Sequence, residues 1–492
     1  MRAARASPLP APPGASPRLV FGVLAGGTMS LALVSGAMAD RVGLRACAVI
    51  TLACAIGLAA LGTDRASRMA LLLLPFVGFL RRVTAGESGY VPSDPVIMFC
   101  LLLLLPAVAL PISGGFTRTS RWIALLAAWL VLEALVSLTR GAVVSSAYSL
   151  LTTVVPVLLA LQLALGRWPG LPSFTARWTP WVAAVTAVYS LMQWLHPPRW
   201  DMAWLATVQR DFLSVGLPYP GQFRIFGTME SPGAYAAFLG AAAVLLVARP
   251  LTGRHRPAQA VGRAVALGLI VVALSLTAVR SVLLPLPLAI LVVMFLRGGR
   301  SRTIGLPAIV LATPLLVLLP PLLGNSDRAE SRYDLGSLAQ DESFNARAQL
   351  LRSFVTALAN PIGTGLGSTG NAAAGTGGLS VVDNGYLART IETGTVGLLL
   401  FLVAIAVVLL PALRGDASGP PLPLPWIGVV VFFLLYELSG PLIGATVGIY
   451  FWIGVGAIAC HVHEHRAGPS SRPHPASTTG SGVHPAGQRP LR

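Results

Sequence analysis

The sequence predicts an all-α, polytopic integral membrane protein of about 12–14 transmembrane helices with one long extracytoplasmic loop. Composition is the first support: 54% of the 492 residues are hydrophobic and 11% charged, with a mean hydropathy of +0.73. Soluble domains carry roughly 25% charged residues. The second is the recurrence, along nearly the whole chain, of apolar runs approaching the ~20 residues that cross a bilayer. The third is a lopsided distribution of arginine between alternate connections. Length alone would suggest two or three soluble domains, but the apolar runs assign almost everything to one membrane domain. The four cysteines, Cys47, Cys54, Cys100 and Cys460, all fall in apolar runs without metal-ligand spacing, so they read as buried thiols.

In chain order, residues 1–18 form a Pro/Ala/Arg-rich cytoplasmic tail, and residues 19–323 an N-terminal bundle of about eleven spans. These are Leu19–Ala39, Ala46–Gly62, Met69–Leu80, Pro95–Pro111, Trp122–Leu138, Val143–Leu165, Trp178–Leu195, Gly233–Ala248, Ala264–Val279, Ser281–Leu296 and Ile304–Leu323. Met69–Leu80 is short enough to be re-entrant. Residues 324–394 form the long polar loop. Residues 395–460 carry Thr395–Leu413, Leu424–Leu438 and Leu442–Cys460, the last two being separate spans or one broken helix. Ala37-Met38-Ala39 has the form of a small-residue cleavage site, but an apolar stretch of about 20 residues is long for a leader's core, which favours a retained span. Residues 461–492, rich in Pro, Gly, Ser and His, read as a disordered cytoplasmic tail. Its histidines (His461, His463, His465, His474, His484) fit a solvated tail better than a metal site.

Charge orients this arrangement. With a cytoplasmic N-terminus and alternating spans, 21 of the 35 arginines fall inside and 14 outside, and there is no lysine. Only 3 acidic residues fall inside against 13 outside, with Glu133 and Glu437 inside spans. The arginine excess is the positive-inside pattern; Arg81 and Arg82 fall on the wrong side. The overall basicity therefore reads as orientation against an anionic inner leaflet, not as nucleic-acid binding.

Three segments then emerge together on the outer face. One is Arg224-Ile225-Phe226-Gly227-Thr228-Met229-Glu230-Ser231-Pro232. Another is Thr277-Ala278-Val279-Arg280-Ser281, where an arginine sits between two apolar runs. Its alternatives are an interfacial anchor or, because arginine near a span is costly, a partner for an anion. The third is the long loop. There Ser343–Leu358 has the spacing of an amphipathic surface helix, with Leu350, Leu351, Phe354, Val355 and Leu358 on one face and Arg347 on another. Asn360-Pro361 ends it. Gly363, Gly365 and Gly367 permit tight turns or a close approach. Asp383 is the only carboxylate between Glu342 and Glu392 and suits a base toward a hydroxyl or a turn cap. Glu392, just before Thr395–Leu413, reads best as a carboxylate at a helix N-terminus. Glu133 and Glu437, toward the outer ends of their spans, are candidates to pair with outer-face arginines.

Together these residues resemble the O-antigen ligase/polymerase family. The likeness rests on Arg224…Gly227-Thr228…Ser231-Pro232, Thr277…Arg280-Ser281, Arg347, Asn360-Pro361…Gly363…Gly365…Gly367 and Asp383-Asn384-Gly385-Tyr386-Leu387…Glu392…Gly394…Gly397. It covers the second half of the chain, from about residue 220 to residue 410. The resemblance implies a glycosyltransferase of the bacterial inner membrane that moves an oligosaccharide from a polyprenyl-pyrophosphate carrier to an acceptor hydroxyl at the extracytoplasmic face. The acceptor would be a glycan, lipid or protein, and the chemistry would need no metal or cofactor. Arg280 and Arg347 would hold the pyrophosphate, Asp383 would orient or deprotonate the acceptor, and Arg224, Asn384, Tyr386 and Glu392 would bind substrate. Many members have histidine where this chain has Asp383, and no histidine lies between His255 and His461. Ligase and polymerase activity stay undivided here. A lipid-linked glycan flippase or exporter, a peptidoglycan-type polymerase and an envelope scaffold are the competing classes.

Overall fold

Helix-forming apolar runs, punctuated by Pro, Gly and Ser at their ends, give an exclusively helical chain among the described residues. The computed structural model describes residues 62–85, 95–112, 115–140, 143–208, 215–219, 222–249, 257–297, 352–370, 382–414 and 422–467. The expected spans Leu19–Ala39 and Ile304–Leu323, nearly all of Ala46–Gly62, Arg347 and most of the long loop lie outside the described residues.

The helices are α1 (Thr63–Leu73), α2 (Val77–Ala85), α3 (Phe99–Val108), α4 (Arg118–Thr139), α5 (Val143–Ser149), α6 (Val155–Ala164), α7 (Gly170–Leu195), α8 (Arg199–Val208), α9 (Pro232–Val247), α10 (Pro257–Leu276), α11 (Pro285–Arg297), α12 (Gly385–Leu413), α13 (Leu424–Tyr436) and α14 (Ile449–Ala467). A 3-10 turn at Leu74–Phe76 joins α1 to α2, so the expected span Met69–Leu80 lies within one longer helical run. Six described segments are long and apolar enough to cross a membrane: Arg118–Thr139, Ser145–Ala164, Ala258–Leu276, Arg280–Arg297, Gly385–Leu413 and Thr446–His463. Val96–Val108, Pro232–Val247 and Leu424–Ser439 are shorter apolar helices beside them.

Local chemistry sets the starts. Thr117 and Ser120 form a reciprocal capping box at α4. At α9 the Ser231 hydroxyl accepts from the Ala234 amide at 3.3 Å with Pro232 in the first turn. Along α4, Ile123, Leu126, Leu130 and Ala134 are buried, whereas Leu125, Leu132 and Leu135 are about half exposed. A helix that is apolar on its outward face as well is suited to lipid, not water.

Helix α14 packs along α6 and α13, α12 along α4, and α13 also along α9 and α11. Because lipid is as apolar as leucine, close backbone approach and ring packing must supply the cohesion. A Cβ at Gly456 would lie 2.7 Å from Leu163 Cβ, and one at Gly454 would lie 2.9 Å from Val430 Cγ2, so small residues let α14 approach both neighbours. Phe433, Phe451, Trp452 and Phe401 form a chain of ring contacts, the Phe451–Trp452 pair edge-on at 5.0 Å. Since α13 and α14 lie side by side, Leu424–Leu438 and Leu442–Cys460 are two helices and not one broken helix.

The two arginines that fit the charge pattern poorly are buried ion-pair partners. Arg82 Nε lies 2.6 Å from Asp201 Oδ1, and its Nη atoms donate to the Met229 and Gly227 carbonyls at 2.5 Å each. Arg81 lies 2.9 Å from Glu230. Asp201 also accepts from Tyr189 and Gln193, while Gln193 Oε1 receives the Phe226 and Gly227 amides. These contacts fix the 223–230 segment against α2, α7 and α8. Arg249, which falls on the cytoplasmic side of the charge pattern, has its guanidinium held below its usual range by burial and by the charges of Arg263 and Arg177.

Candidate functional site

The site is organised around a break in α12. At Gly394 the backbone turns to φ 68° and ψ 178°, a conformation open to glycine, and the helix divides into halves before and after it. A broken helix at membrane depth leaves backbone groups that must find partners within the protein. Here the glycine-rich segment supplies them. The Thr364 and Gly365 amides donate to the Ile391 and Glu392 carbonyls at 2.8 and 3.0 Å, and Trp129 Nε1 donates to the Thr393 carbonyl at 3.0 Å. Beyond the break, the Thr395 and Val396 amides donate to the Asn360 and Pro361 carbonyls at 3.0 and 3.3 Å. Gly365 and Gly367 adopt φ of 96° and 85° and leave no room for a Cβ against Ser137 and Ser145, which is why this segment needs its glycines.

Glu392 completes the clamp. Its Oε1 accepts from the Gly367 amide at 3.2 Å, the Thr369 amide at 3.3 Å and the Thr369 hydroxyl at 2.8 Å. The expectation of a carboxylate at a helix N-terminus is therefore corrected. Glu392 stands at the C-terminal end of the first half-helix, where the dipole disfavours it, and the three donors offset that cost.

A cavity of 670 Å³ opens beside this break, and Arg224, Arg280, Asp383, Arg389, Glu392 and Glu437 all line it. Arg280 opens the 3-10 turn Arg280–Val282 that separates α10 from α11. Just before it Ala278 has φ 49°, a left-handed conformation costing roughly 1–2 kcal/mol for a residue with a Cβ. Arg224 Nε donates to the Thr277 carbonyl at 2.9 Å, tying the 223–230 segment to the same break. Asp383 is exposed at the mouth, one residue before the α12 cap.

Two expected binding residues do not line this cavity. Asn384 is the N-cap of α12: its Oδ1 accepts from the Leu387 amide at 3.0 Å and its Nδ2 donates to the Leu438 carbonyl at 3.4 Å. The Tyr386 hydroxyl donates to the Leu434 carbonyl at 2.8 Å, joining α12 to α13. Both side chains hold the scaffold. The helical stretch at 352–358 ends before Asn360 as expected, with Phe354 and Ala357 packed on Val382, Leu387 and Ala388.

The two intramembrane glutamates differ. Glu437 is buried, accepts from the Ile443 amide at 3.1 Å, and sits where a Cβ on Gly385 would collide with its Oε1. Glu133 is buried without a hydrogen bond to either carboxylate oxygen, its electrostatic partners being the Gly363 amide and Arg140. Neither makes an ion pair within 4 Å among the described residues. Arg389 is the lining residue that sequence reasoning missed. Its spacing of three from Glu392, on a segment about to enter the membrane, was the available signal.

This geometry defines a class: a polytopic helical membrane protein with an arginine-bearing cavity formed beside a broken helix. A family model described as Wzy_C, O-antigen ligase, matches residues 264–402, which include Arg280, the glycine segment and the first part of α12. The match supports assignment of the chain to the O-antigen ligase/polymerase family, and with it glycan transfer of the O-antigen ligase type. No curated protein and no solved structure matches the chain.

Proposed function

We propose that the chain transfers an oligosaccharide from a polyprenyl-pyrophosphate carrier to an acceptor hydroxyl at the extracytoplasmic face of the bacterial inner membrane. The observation that supports this most is the convergence of Arg280, Arg224 and Asp383 on one cavity beside the broken helix. The acceptor hydroxyl attacks the anomeric carbon, the bond from that carbon to the diphosphate oxygen breaks, and polyprenyl pyrophosphate leaves with the bonding pair. The family resemblance implies inversion at that carbon. Charge grows on the diphosphate as the bond breaks, so guanidinium groups fixed near it stabilise the transition state more than the ground state. Asp383, at the cavity mouth, takes or orients the hydroxyl proton. Arg347 joins Arg280 at the diphosphate in this proposal, and residues 324–394 contribute the glycine segment and Asp383 to a site that Arg224 and Arg280 complete.

The test is turnover of the lipid-linked glycan in cells bearing wild type, Arg280→Ala or Asp383→Ala at matched membrane levels. Loss of one charge-stabilising donor lowers turnover about 10²–10³-fold, with carrier-linked glycan accumulating and transferred glycan lost. Unchanged carrier and product in both variants would overturn the proposal in favour of transport or scaffolding.

A further inference from the structure

Arg389 is buried at 7% exposure in the cavity wall, yet its charge has no dedicated counter-ion. The guanidinium carbon lies 4.1 Å from the centre of the Phe401 ring, Nε has no hydrogen-bond partner, and the side chain makes no ion pair within 4 Å among the described residues. Glu392 and Glu437 both attract it electrostatically. Neither carboxylate pairs with it within 4 Å: Glu392 Oε1 holds Gly367 and Thr369, and Glu437 holds the Ile443 amide. A guanidinium carries five N–H donors in a planar fork suited to two-point contact with an oxyanion. An unsatisfied one in a membrane helix marks a functional position. The ring beneath covers one face, so the donors lie edgewise in the plane of the fork. Of the other two carboxylates in this wall, Glu230 is already paired with Arg81, and Asp383 is exposed and makes no ion pair within 4 Å among the described residues.

We propose that Arg389 is a substrate-binding residue that takes an oxyanion of the bound molecule, a phosphate or a carboxylate, in the 670 Å³ cavity. The proposal rests on the transferase function proposed above and adds a fourth cation to Arg224, Arg280 and Arg347. Glu392 and Glu437 then serve as its electrostatic frame, lowering the cost of the charge before substrate arrives without competing for its donors.

The experiment uses the purified full chain in lipid nanodiscs, with inorganic pyrophosphate and glucuronate as separate probes read by the shift in unfolding midpoint. Wild type, Arg389→Gln, Arg389→Lys and Arg280→Gln are compared. Lysine keeps the charge between the two glutamates, so it preserves the fold if the residue is only a counter-ion, but it loses the fork. The expected result is a folded Arg389→Lys protein whose affinity for one probe is about tenfold or more below wild type. Weakened pyrophosphate binding assigns the oxyanion to phosphate; weakened glucuronate binding with pyrophosphate unaffected assigns it to a sugar carboxylate. Equal binding of both probes by wild type and Arg389→Lys overturns the role of Arg389, and a loss confined to Arg280→Gln would leave the transferase proposal standing. If neither probe shifts wild type, the cavity is not an anion site and both proposals fall.

Discussion

Arg82 and Asp201 are wholly buried and 2.6 Å apart, and through them the 223–230 segment is fixed to the helices behind it. The guanidinium Nη atoms also donate to the Gly227 and Met229 carbonyls, so the pair and the loop form one network. Removing one partner strands a buried charge, which costs about 3–5 kcal/mol. Asp201→Ala is expected to lower the unfolding midpoint sharply and to expose the 223–230 segment to protease. Arg81→Ala strands no fully buried charge, since Glu230 is partly exposed, and although it also removes the contact over Trp204 it should cost less. Equal midpoints for the two variants would contradict the network.

Glu392 holds the glycine segment through its acceptor oxygen, and its charge adds an attraction to Arg389 that Glu437 shares. Its Oε1 takes three hydrogen bonds from Gly367 and Thr369, and glutamine presents the same oxygen. Glu392→Gln should therefore retain most of the glycan turnover, whereas Glu392→Ala frees the loop and loses it. A Glu392→Gln variant as inactive as Glu392→Ala would indicate that the negative charge beside Arg389, and not the acceptor oxygen alone, is required.

The start of α12 sets three consecutive residues, Asn384, Gly385 and Tyr386, to different tasks. Asn384 caps the helix, so Asn384→Ala should cost about 1 kcal/mol and Asn384→Ser much less. Gly385→Ala should be worse than either, because its Cβ would meet Glu437. Tyr386→Phe removes one hydrogen bond to Leu434, worth about 1 kcal/mol, and should leave turnover nearly intact. Unfolding midpoints and turnover of the four variants, taken together, check this ranking.

The membrane bundle was legible because hydropathy is a sum over ~20 residues and survives local irregularity. The expected span Thr395–Leu413 coincides with the second half of α12. Its first half was hidden because Asn384, Arg389 and Glu392 are polar and mask a helix that begins ten residues earlier. The glycine segment was correctly singled out, but its task as backbone partner to a broken helix depends on contacts with residues about 30 positions away, which no local pattern carries. Arg81 and Arg82 defied charge counting for the same reason: their partners are Glu230 and Asp201, well over 100 positions along the chain. Arg280, Arg224 and Asp383 were recognised as members of one site because the proposed topology brought their segments to one face. Arg389 was missed because a lone arginine near a span end looks like an interfacial anchor until its surroundings are known.

The orientation of the cavity is open to a direct check, because α12 connects its two ends. The helix runs 29 residues from Gly385 to Leu413, about 40 Å of helix, enough to cross a hydrocarbon core of about 30 Å even with a break. Leu438 lies at the cavity end, since its carbonyl accepts from Asn384, and its side chain is exposed. Arg414 lies at the far end, where it caps α12. In a protein with Cys47, Cys54, Cys100 and Cys460 replaced by alanine, Leu438→Cys should react with a membrane-impermeant maleimide in intact spheroplasts. Arg414→Cys should react only after permeabilisation. The connections expected on the Arg414 side carry 21 of the 35 arginines, and such a bias predicts a cytoplasmic face there. The opposite labelling pattern would put the cavity on the cytoplasmic face, where a transferase acting on an exported carrier-linked glycan has no substrate.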